Sequence, residues 1–487
     1  MSRLIVVSNR VGLPKDVGAN SVGGLAAALA AALRESGGIW FGWSGETTET
    51  YNGQISMHRV GTVTLALVDL VEQDVQEYYN GYANETLWPL FHDRTDLTAY
   101  ERSFDEAYAR VNRRFADTLL PLIEPDDMIW VQDYHLIPLG RYLRELGLTN
   151  RIGYFLHIPW PARSHFMTLI AHRELAEAMF AYDVVGFQSD ESRENFQDYV
   201  FKEIPGATAN GKVLNAFGRN VLVDTFPIGI DADGFMEAVS SEAAKEQLLR
   251  LRKSLADRRM VLGVDRLDYS KGLEERFLAY EQFLTDNPDQ LEKVFLLQIA
   301  TPSRSEVPAY RDIRARLDGI SGRINGAFAT VEWVPLRYVN RSYRRDELAA
   351  IYRLASVGLV TPMRDGMNLV AKEYVAAQDP KDPGVLILSQ FAGAAAQMHE
   401  ALIVNPHSRE QVSESIQQAL VMPKKERVRR WESLVDGVKR DHVGRWRDAF
   451  IAALKAPLPD AGSAVPEAGS AVQSSGPAPS QASEAAA

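Results

Sequence analysis

The feature that most constrains the fold of this chain is a series of short apolar runs separated by segments of helical periodicity. The runs predict strands in the first half of the chain at residues 4–7, 63–68, 128–131, 152–156, 184–187 and 221–226. They predict further strands in the second half at residues 260–264, 294–299, 357–360, 385–388 and 401–404. Segments between them, such as residues 100–120, carry apolar residues at helical spacing. Continuous apolar strands that alternate with helices indicate parallel sheets with both faces covered.

More than ten strands are too many for one ordinary open sheet, so we predict two Rossmann-like, doubly wound α/β domains. The polar stretch at residues 231–257 is the expected boundary. We assign residues 1–240 to a first domain, 258–440 to a second and 441–455 to a helix that packs back on the first. Residues 456–487 are rich in Ala, Ser, Pro and Gly and lack aromatic residues, which predicts a disordered tail.

Composition excludes several classes of protein. The net charge of −11 argues against a nucleic-acid binder, because such proteins neutralise phosphates with an excess of Lys and Arg. The absence of cysteine excludes disulfides, thiolate nucleophiles and Cys-zinc sites. No run reaches the roughly 20 apolar residues needed to span a bilayer, and the N-terminal apolar run is too short for a signal peptide. We therefore expect a cytoplasmic protein whose partners include neither nucleic acid nor membrane.

Charged residues follow the predicted strands. In open parallel sheets ligands bind beyond the carboxyl ends of the strands, where these side chains would converge. Arg and Lys at such positions suit phosphate groups, and in a chain of net charge −11 they indicate an anion pocket. The residues concerned are Arg10, Asp133, His157, Arg266, Lys271, Arg304 and the stretch TPMRDGMNL at 361–369.

Two glycine-containing turns precede predicted helices, one at Gly23 and Gly24 and the other at Gly366. A helix N-terminus offers unpaired N–H groups, and glycine lets a phosphate approach the backbone closely. Glu373 lies four residues after Leu369 on the same helix face, where it could accept hydrogen bonds from a ribose. An ordinary loop before a helix and a solvated Glu373 are the structural alternatives.

The sequence predicts neither a metal site nor a cofactor. It has no HExxH motif and no Cys/His zinc spacing. Asp231 and Asp233 form a DxD pair that resembles the metal-binding motif of another class of sugar transferase. Because Gly234 follows at the predicted domain boundary, we favour a turn here. The segment at residues 42–46 lacks the G-x-S-x-G spacing of a nucleophile elbow.

Nine motifs carry a resemblance to one family. They are SNR (8–10), GGIWFGWSG (37–45), EYYN (77–80), LWPLFH (87–92), QDYHLIP (132–138), FLHIPWP (155–161), DRLDYSKGLEERFLAYE (265–281), GRING (322–326) and RDGMNLVAKEYVAAQDPKDPGVLILSQFAGAA (364–395). Together they resemble the trehalose-6-phosphate synthases, retaining glycosyltransferases of the GT-B fold, over about residues 1–455. The fold implied is two Rossmann-like domains facing each other across a cleft.

The resemblance implies transfer of glucose from a nucleotide sugar to glucose 6-phosphate, giving α,α-trehalose 6-phosphate and a nucleoside diphosphate. UDP-glucose is the expected donor. ADP-glucose and GDP-glucose stay open, because base contacts in the family are largely made by the backbone. We also expect a homo-oligomer.

The resemblance also implies roles for individual residues. Those matching the acceptor site are Arg10, Tyr79 and Arg304 for the phosphate, Asp133 for the sugar hydroxyls, and Trp88 and His157 for the sugar pocket. Those matching the donor site are Gly23, Gly24, Arg266, Lys271, Tyr343 at the nucleobase, Asp365, Gly366, Met367, Asn368, Leu369, and Glu373 at the ribose. The implied catalytic set is Arg266, Lys271, Asp365, His157 and Asp133.

Other interpretations compete with this one. Glycogen synthases and phosphorylases share the GT-B fold, but no lysine has a convincing context for pyridoxal phosphate. A synthase joined to a phosphatase would need well over a hundred residues after the transferase, where only the tail remains. A catalytically inactive binding module predicts losses at Arg266, Lys271, Asp365 or Glu373, yet all four are present. Trp160 and residues 162–165 depart from the pattern of bacterial relatives, beside the acceptor side of the cleft.

Overall fold

The computed structural model describes residues 3–12, 29, 33, 37–255, 257–304 and 306–458. Its strands are β1 Leu4–Arg10, β2 Gly38–Thr48, β3 Ser56–Val60, β4 Val63–Val71, β5 Met128–Gln132, β6 Ile152–Phe155, β7 Val184–Phe187, β8 Thr208–Asn210, β9 Val213–Ala216, β10 Arg219–Thr225, β11 Arg259–Arg266, β12 Val294–Thr301, β13 Leu336–Val339, β14 Val357–Val360, β15 Val385–Ser389 and β16 Leu402–Val404.

Helices connect these strands. The α-helices are Glu72–Asp74, Trp88–Phe91, Arg102–Leu119, Leu139–Glu145, Arg163–Phe166, His172–Met179, Asp190–Glu203, Ala232–Val239, Glu242–Leu255, Leu273–Asp286, Pro308–Phe328, Arg345–Leu354, Leu369–Ala377, Arg409–Val421, Lys424–Arg440 and Val443–Lys455. Short 3₁₀ turns lie at Thr95–Leu97, Leu120–Leu122, Tyr134–Leu136, Tyr269–Lys271, Pro288–Gln290 and Gly393–Ala396. Residues Val75–Leu87 form a π-helix.

The strands form two sheets, as the apolar runs predict. The first has the order β3-β4-β2-β1-β5-β6-β7-β10-β9-β8, and its seven central strands are parallel. The second has the order β13-β12-β11-β14-β15-β16 and is parallel throughout. The chain reverses its direction of winding between β1 and β5 in the first sheet and between β11 and β14 in the second. Both crevices are the positions where α/β sheets bind ligands.

The C-terminal helix Val443–Lys455 packs on the first domain. Gly153 and Gly186, on neighbouring strands, leave the space that the Phe450 ring fills, and a Cβ at either glycine would meet that ring. The Trp130 indole stacks on Phe450 with 4.7 Å between ring centroids. This arrangement ties the end of the described chain to the sheet in which the chain began.

The helix Ala232–Val239 lies within the stretch at residues 231–257 where the sequence predicts the domain boundary. The helix Ala232–Val239 packs on the helices Arg345–Leu354 and Leu369–Ala377 of the second domain rather than on the first sheet. The chain returns from the second domain to the first near the same point. There the Val443 amide donates to the Ile230 carbonyl at 3.1 Å. The chain therefore passes between the two sheets close to Asp231, the first residue of the predicted boundary stretch. No helix among the described residues is long and apolar enough to cross a membrane.

Candidate active site

The carboxyl ends of the two sheets face each other and bring most of the predicted site residues into one cleft. Trp88 of the first domain donates from Nε1 to Asp268 Oδ1 of the second at 3.4 Å. The backbone at Gly366 lies against the carbonyl of His157, where a Cβ would clash. The glycine that the sequence assigned to a helix entry thus also allows the two domains to approach each other.

Arg304 reaches from the second domain into the first. Its Nη2 donates to the Tyr134 hydroxyl at 2.9 Å, and its Nη1 donates to the Tyr310 hydroxyl. Its guanidinium carbon lies 3.9 Å from the centroid of the Trp88 ring. Nη1 is also 3.6 Å from Asp268 Oδ2. Arg304 is therefore a buried, oriented cation at the junction of the two domains.

Asp268 is the counter-ion that Arg304, Arg266 and Lys271 share. Burial opposes ionisation of its carboxyl group, but Arg304, Arg266 and Lys271 together outweigh burial and hold its pKa at about 2. The Arg266 side chain is half exposed and lies 3.9 Å from Asp268 Oδ2. Its guanidinium carbon is 5.2 Å from the Trp88 ring centroid. Arg266 can therefore present its charge to the open cleft.

Aromatic rings line the first-domain side of the cleft near Arg10. The Arg10 guanidinium lies over the Trp43 ring at 5.6 Å and against Gly45. The Tyr79 ring packs edge-on against Trp43 and stacks parallel on His135. Tyr79 is carried by the π-helix. Arg10 and Tyr79 are thus neighbours through Trp43, as a shared role in one anion pocket requires.

Asp133 and His157 lie at the ends of β5 and β6. Asp133 has φ +74°, a conformation that non-glycine residues rarely adopt. Its Oδ1 accepts from the His157 backbone amide at 3.2 Å. Burial raises the pKa of Asp133 to about 6, although the amides of Tyr134 and His157 oppose the shift.

The His157 imidazole is neutral and engaged on both sides. Gln188 Oε1 accepts from the Ile228 amide, so its Nε2 faces His157 Nδ1 at 3.3 Å. This leaves the proton on Nε2, which donates to Gln132 Oε1 at 2.8 Å. Burial lowers the pKa of His157 to about 3. The ring is therefore a held wall of the cleft, not a free proton carrier.

Lys271 and Asp365 form an ion pair on the opposite side of the cleft. Lys271 Nζ lies 2.6 Å from Asp365 Oδ2, and Asn368 Nδ2 donates to the same oxygen at 3.1 Å. Burial opposes ionisation of Asp365, but the charge of Lys271 prevails and lowers the pKa of the carboxyl group. Asp365 is therefore ionised. Its side chain contacts Lys271 and Asn368, and it is not the residue that caps the helix Leu369–Ala377.

Asn368 begins the helix Leu369–Ala377 instead. It has φ +80°, and its side-chain oxygen accepts from the Ala371 amide at 3.2 Å. The loop before it is held by the next strand connection, because the Ala394 amide donates to the Met367 carbonyl at 2.8 Å. The result is a rigid helix N-terminus beside Lys271, with the partial positive charge that suits a diphosphate.

Glu373 lies one turn into this helix, where it is partly buried. The Tyr352 hydroxyl donates to Glu373 Oε2 at 3.3 Å. Burial raises the pKa of Glu373 to about 7, although Tyr352 and Arg345 oppose the shift. Tyr343, two residues before Arg345, is partly buried, and the Arg341 guanidinium lies over its ring at 4.3 Å. Glu373 is thus partly buried and hydrogen-bonded to Tyr352, while its role at a ribose stays a prediction.

Several features of the site were not anticipated from sequence. Arg364 lies across the domain junction, where its Nη2 is 2.8 Å from Glu191 Oε1 and its Nε is 3.3 Å from Asp93 Oδ2. His165 Nδ1 lies 3.0 Å from Asp93 Oδ1, so part of the divergent 162–165 segment borders this junction. Trp160, by contrast, is fully buried against Phe91 and other rings and does not line the cleft.

Two predictions concern other parts of the chain. Asp231 caps the helix Ala232–Val239, since its side chain accepts from the Gly234 amide at 3.1 Å. The DxD pair thus forms the start of a helix and not the turn that the sequence predicts. No cluster of metal-ligating side chains occurs in the part of the chain that the structure describes. Gly23, Gly24 and residues 459–487 lie outside the described residues.

The chain was compared with known proteins. The sequence profile of Glycosyltransferase family 20 matches residues 3–456. A trehalose-6-phosphate synthase of Sinorhizobium fredii is 48% identical over 458 residues, which are 94% of this chain and 99% of that protein. A trehalose-6-phosphate synthase of an Enterobacter species is 46% identical over 459 residues, covering 94% and 96% of the two chains.

Solved structures of trehalose-phosphate synthases also match this chain. An alpha,alpha-trehalose-phosphate synthase (UDP-forming) from Burkholderia xenovorans in complex with glucose-6-phosphate has a TM-score of 0.90 and 46% identity, over 93% of this chain and all of that one. An E. coli structure bound with UDP-2-fluoro glucose has a TM-score of 0.89 and 44% identity, over 94% and 100% of the two chains.

Two parallel-sheet domains that face each other across a cation-rich cleft define a GT-B glycosyltransferase, as the sequence predicts. The profile match and the curated relatives each cover nearly the whole described chain. The chain belongs to glycosyltransferase family 20.

Proposed function

We propose that the chain transfers glucose from UDP-glucose to glucose 6-phosphate with retention of configuration, giving α,α-trehalose 6-phosphate and UDP. The observation that carries this proposal is that two groups of cationic side chains lie along one cleft, which we assign to two anions. One is formed by Lys271, Arg266 and the N-terminus of the helix Leu369–Ala377; the other involves Arg304 and Arg10. The relatives that bind glucose-6-phosphate and UDP-2-fluoro glucose support the assignment of the substrates.

The acceptor phosphate binds Arg304, Arg10 and Tyr79 in this proposal. Arg304 is already oriented by the Tyr134 and Tyr310 hydroxyls, so little side-chain entropy is lost when the phosphate arrives. Trp88 bounds the acceptor sugar, and Asp133 accepts hydrogen bonds from its hydroxyls. The strained backbone of Asp133 is typical of residues whose position is specified by function.

The donor diphosphate lies on Arg266, Lys271 and the backbone amides of Asn368 and Leu369. Asp365 faces the hydroxyls of the transferred glucose, and Gly366 and Met367 form the backbone around it. Glu373 binds the ribose, and Tyr343 the nucleobase. The Gly23 and Gly24 loop completes the donor site, as the resemblance implies. UDP is the base expected from the relatives, while ADP and GDP remain to be tested.

Cleavage of the anomeric C–O bond leaves positive charge on the sugar and negative charge on the departing diphosphate. Lys271, Arg266 and the helix N-terminus stabilise that negative charge as it forms. Retaining glycosidases instead use a second carboxylate as nucleophile. Asp365 is occupied by Lys271 and Asn368, which disfavours this role.

We therefore propose that the acceptor hydroxyl attacks from the face that the diphosphate leaves. A diphosphate oxygen then takes the hydroxyl proton. His157 does not take it, because both imidazole nitrogens are engaged by glutamine side chains. Mass spectrometry of the enzyme quenched during turnover should detect no covalent glucosyl adduct. A trapped adduct would contradict front-face attack.

Glu373 predicts a pH dependence of donor binding. Its pKa of about 7 means that the carboxyl group binds a proton as the pH falls below about 7. Ribose hydroxyls donate better to the ionised form, so kcat/KM for UDP-glucose should fall between about pH 8 and about pH 6 at saturating acceptor. Glu373→Gln should lower kcat/KM at high pH and remove this step. A variant that keeps the step would show that another group titrates.

The direct test of the proposed function is release of nucleoside diphosphate from UDP-, ADP- and GDP-glucose, each with and without glucose 6-phosphate. We expect release from UDP-glucose that depends on glucose 6-phosphate. No release from any donor would support a binding module, and release that is indifferent to glucose 6-phosphate would refute the acceptor assignment. The expectation of a homo-oligomer stays a prediction, which light scattering on the purified protein checks.

A further inference from the structure

Arg276 lies at the centre of a buried polar cluster beneath the donor side of the cleft. Its side chain has no exposed surface. Nε donates to Thr361 Oγ1 at 3.0 Å, and Nη2 donates to the Lys271 carbonyl at 3.2 Å. Nη1 donates to Gln298 Oε1 at 2.9 Å and to the Asp265 carboxylate. One planar guanidinium therefore reaches four groups from separate parts of the chain.

Two of these groups lie in strands of the second sheet, and the other two lie in the loops that follow strands of that sheet. Asp265 directly precedes Arg266 at the end of β11, and Gln298 lies near the end of β12. Thr361 follows β14 and opens the loop that leads to Asp365. Arg276 thus joins the carboxyl ends of three neighbouring strands and, through its carbonyl contact, the backbone of Lys271.

The chain is shaped to admit this cluster. A Cβ at Gly263 would meet Gln298 Oε1 and would lie 2.7 Å from Arg276 Nη1. A Cβ at Gly272, which has φ +65°, would lie 2.5 Å from the Thr361 carbonyl. The turn after Lys271 is therefore pressed against the loop from β14. A small displacement of either loop would change the distance between Lys271 and Asp365.

Stability alone does not account for this arrangement. Buried ion pairs contribute little to stability, since desolvation offsets their attraction and apolar replacements are often neutral or better. A guanidinium that satisfies four acceptors in a fixed plane does define geometry, because the fork imposes the directions of all its hydrogen bonds. The Arg276–Asp265 pair is thus better explained by the positions that it sets than by the energy that it contributes.

We propose that Arg276 is a positioning residue for the transfer reaction: it holds Lys271 and the Asp365 loop where they stabilise the departing diphosphate. The proposal rests on the proposed function and deepens it. Arg276 has no exposed surface in this structure, so its effect passes through Lys271, Arg266 and Asp365. Its loss should lower kcat for transfer and weaken UDP binding, while the KM for glucose 6-phosphate changes little.

The test separates positioning from charge balance. Arg276→Met leaves the Asp265 carboxylate buried without its partner, so it should lower both the melting temperature and kcat. Arg276→Met combined with Asp265→Asn removes both charges and should restore most of the melting temperature. We expect kcat of the double variant to stay about tenfold or more below the wild type, because misplaced catalytic groups remain misplaced. Arg276→Lys should not restore it.

A matched control exists in the first domain. Arg144 and Asp183 form a largely buried pair, with Nη2 3.0 Å from Oδ2 and the side chains 14% and 17% exposed; Asp183 also pairs with Arg151. Arg144→Met with Asp183→Asn should change the melting temperature without a comparable loss of kcat. If the Arg276 and Asp265 double variant recovered kcat together with melting temperature, the positioning role would be refuted.

A milder variant covers the case in which the double variant does not fold. Thr361→Val removes one hydrogen bond to Arg276 Nε and no charge. We expect a melting temperature close to that of the wild type, a reduced kcat, weaker UDP binding by calorimetry and an unchanged KM for glucose 6-phosphate. An unchanged kcat would overturn the proposal. An inactive wild-type enzyme in the same assay would refute the proposed function instead, so the two failures are distinguishable.

Discussion

Lys271→Ala is expected to lower kcat by about two to three orders of magnitude, the usual effect of removing one group that stabilises charge in the transition state. The negative charge on the diphosphate grows as the glycosidic bond breaks, so the Lys271 ammonium interacts more strongly with the transition state than with the bound donor. The KM for UDP-glucose should therefore change much less than kcat. Steady-state kinetics with both substrates varied checks this result.

Loss of Lys271 also removes the partner of Asp365. The ammonium lowers the pKa of that carboxyl group, so burial should raise the pKa in the variant. Lys212→Ala is a suitable control for the loss of a lysine, because Lys212 forms an ion pair of similar length with Asp224 but lies on the exposed edge of the first domain. That variant should keep the wild-type kcat. A loss at Lys271 confined to KM would mean that Lys271 binds the donor without contributing to bond cleavage.

Arg304→Ala is expected to raise the KM for glucose 6-phosphate by about a hundredfold, with a much smaller change in the KM for the donor. One hydrogen bond to a charged group is typically worth about 1.5–3 kcal/mol, and a guanidinium binds phosphate through two. The variant also removes one of the three cations that stabilise the Asp268 carboxylate, so that only Arg266 and Lys271 of these three remain. Initial rates with glucose 6-phosphate varied at saturating UDP-glucose measure the effect.

The specificity of this result can be checked with Arg323→Ala. Arg323 lies on the surface of the same domain, where it pairs with Glu281 and is half exposed. Its loss should leave both KM values unchanged, because exposed ion pairs contribute little. Equal increases of the two KM values in Arg304→Ala would contradict the assignment of this residue to the acceptor.

Sequence reasoning identified both sheets because buried parallel strands are continuous apolar runs. The strands at residues 184–187 and 357–360 end where the runs end. It missed β2, whose residues Gly38–Thr48 mix glycine and polar groups with aromatic ones, and the polar edge strand β3. It also missed the π-helix Val75–Leu87. That helix contains Gly81, and tertiary contacts such as Tyr82 stacked on Tyr108 support it.

Some features of the candidate site could likewise be predicted from the sequence, and others could not. Residues at strand ends, such as Arg304 and Lys271, are predictable because the fold brings those ends together. The pairing of Lys271 with Asp365 is not, since it depends on how two loops 94 residues apart are held by Arg276. The burial of Glu373 against Tyr352 likewise depends on packing between two helices. Periodicity gives the face of a helix but not the neighbour that covers it.

The backbone conformations of several site residues could not be predicted from the sequence either. Asp133, Arg304 and Asn368 all have positive φ, although nothing in their residue type requires it. Such conformations persist only where the surrounding structure over-determines them, and these three border the cleft.

The most direct test of the central claim is the structure of the product formed from UDP-glucose and glucose 6-phosphate, determined by NMR. The claim is that one cleft joins the two sugars through their anomeric carbons with retention. We predict a non-reducing disaccharide phosphate in which both anomeric centres are α. A β configuration at the transferred glucose, a reducing product, or free glucose as the main product would contradict the account.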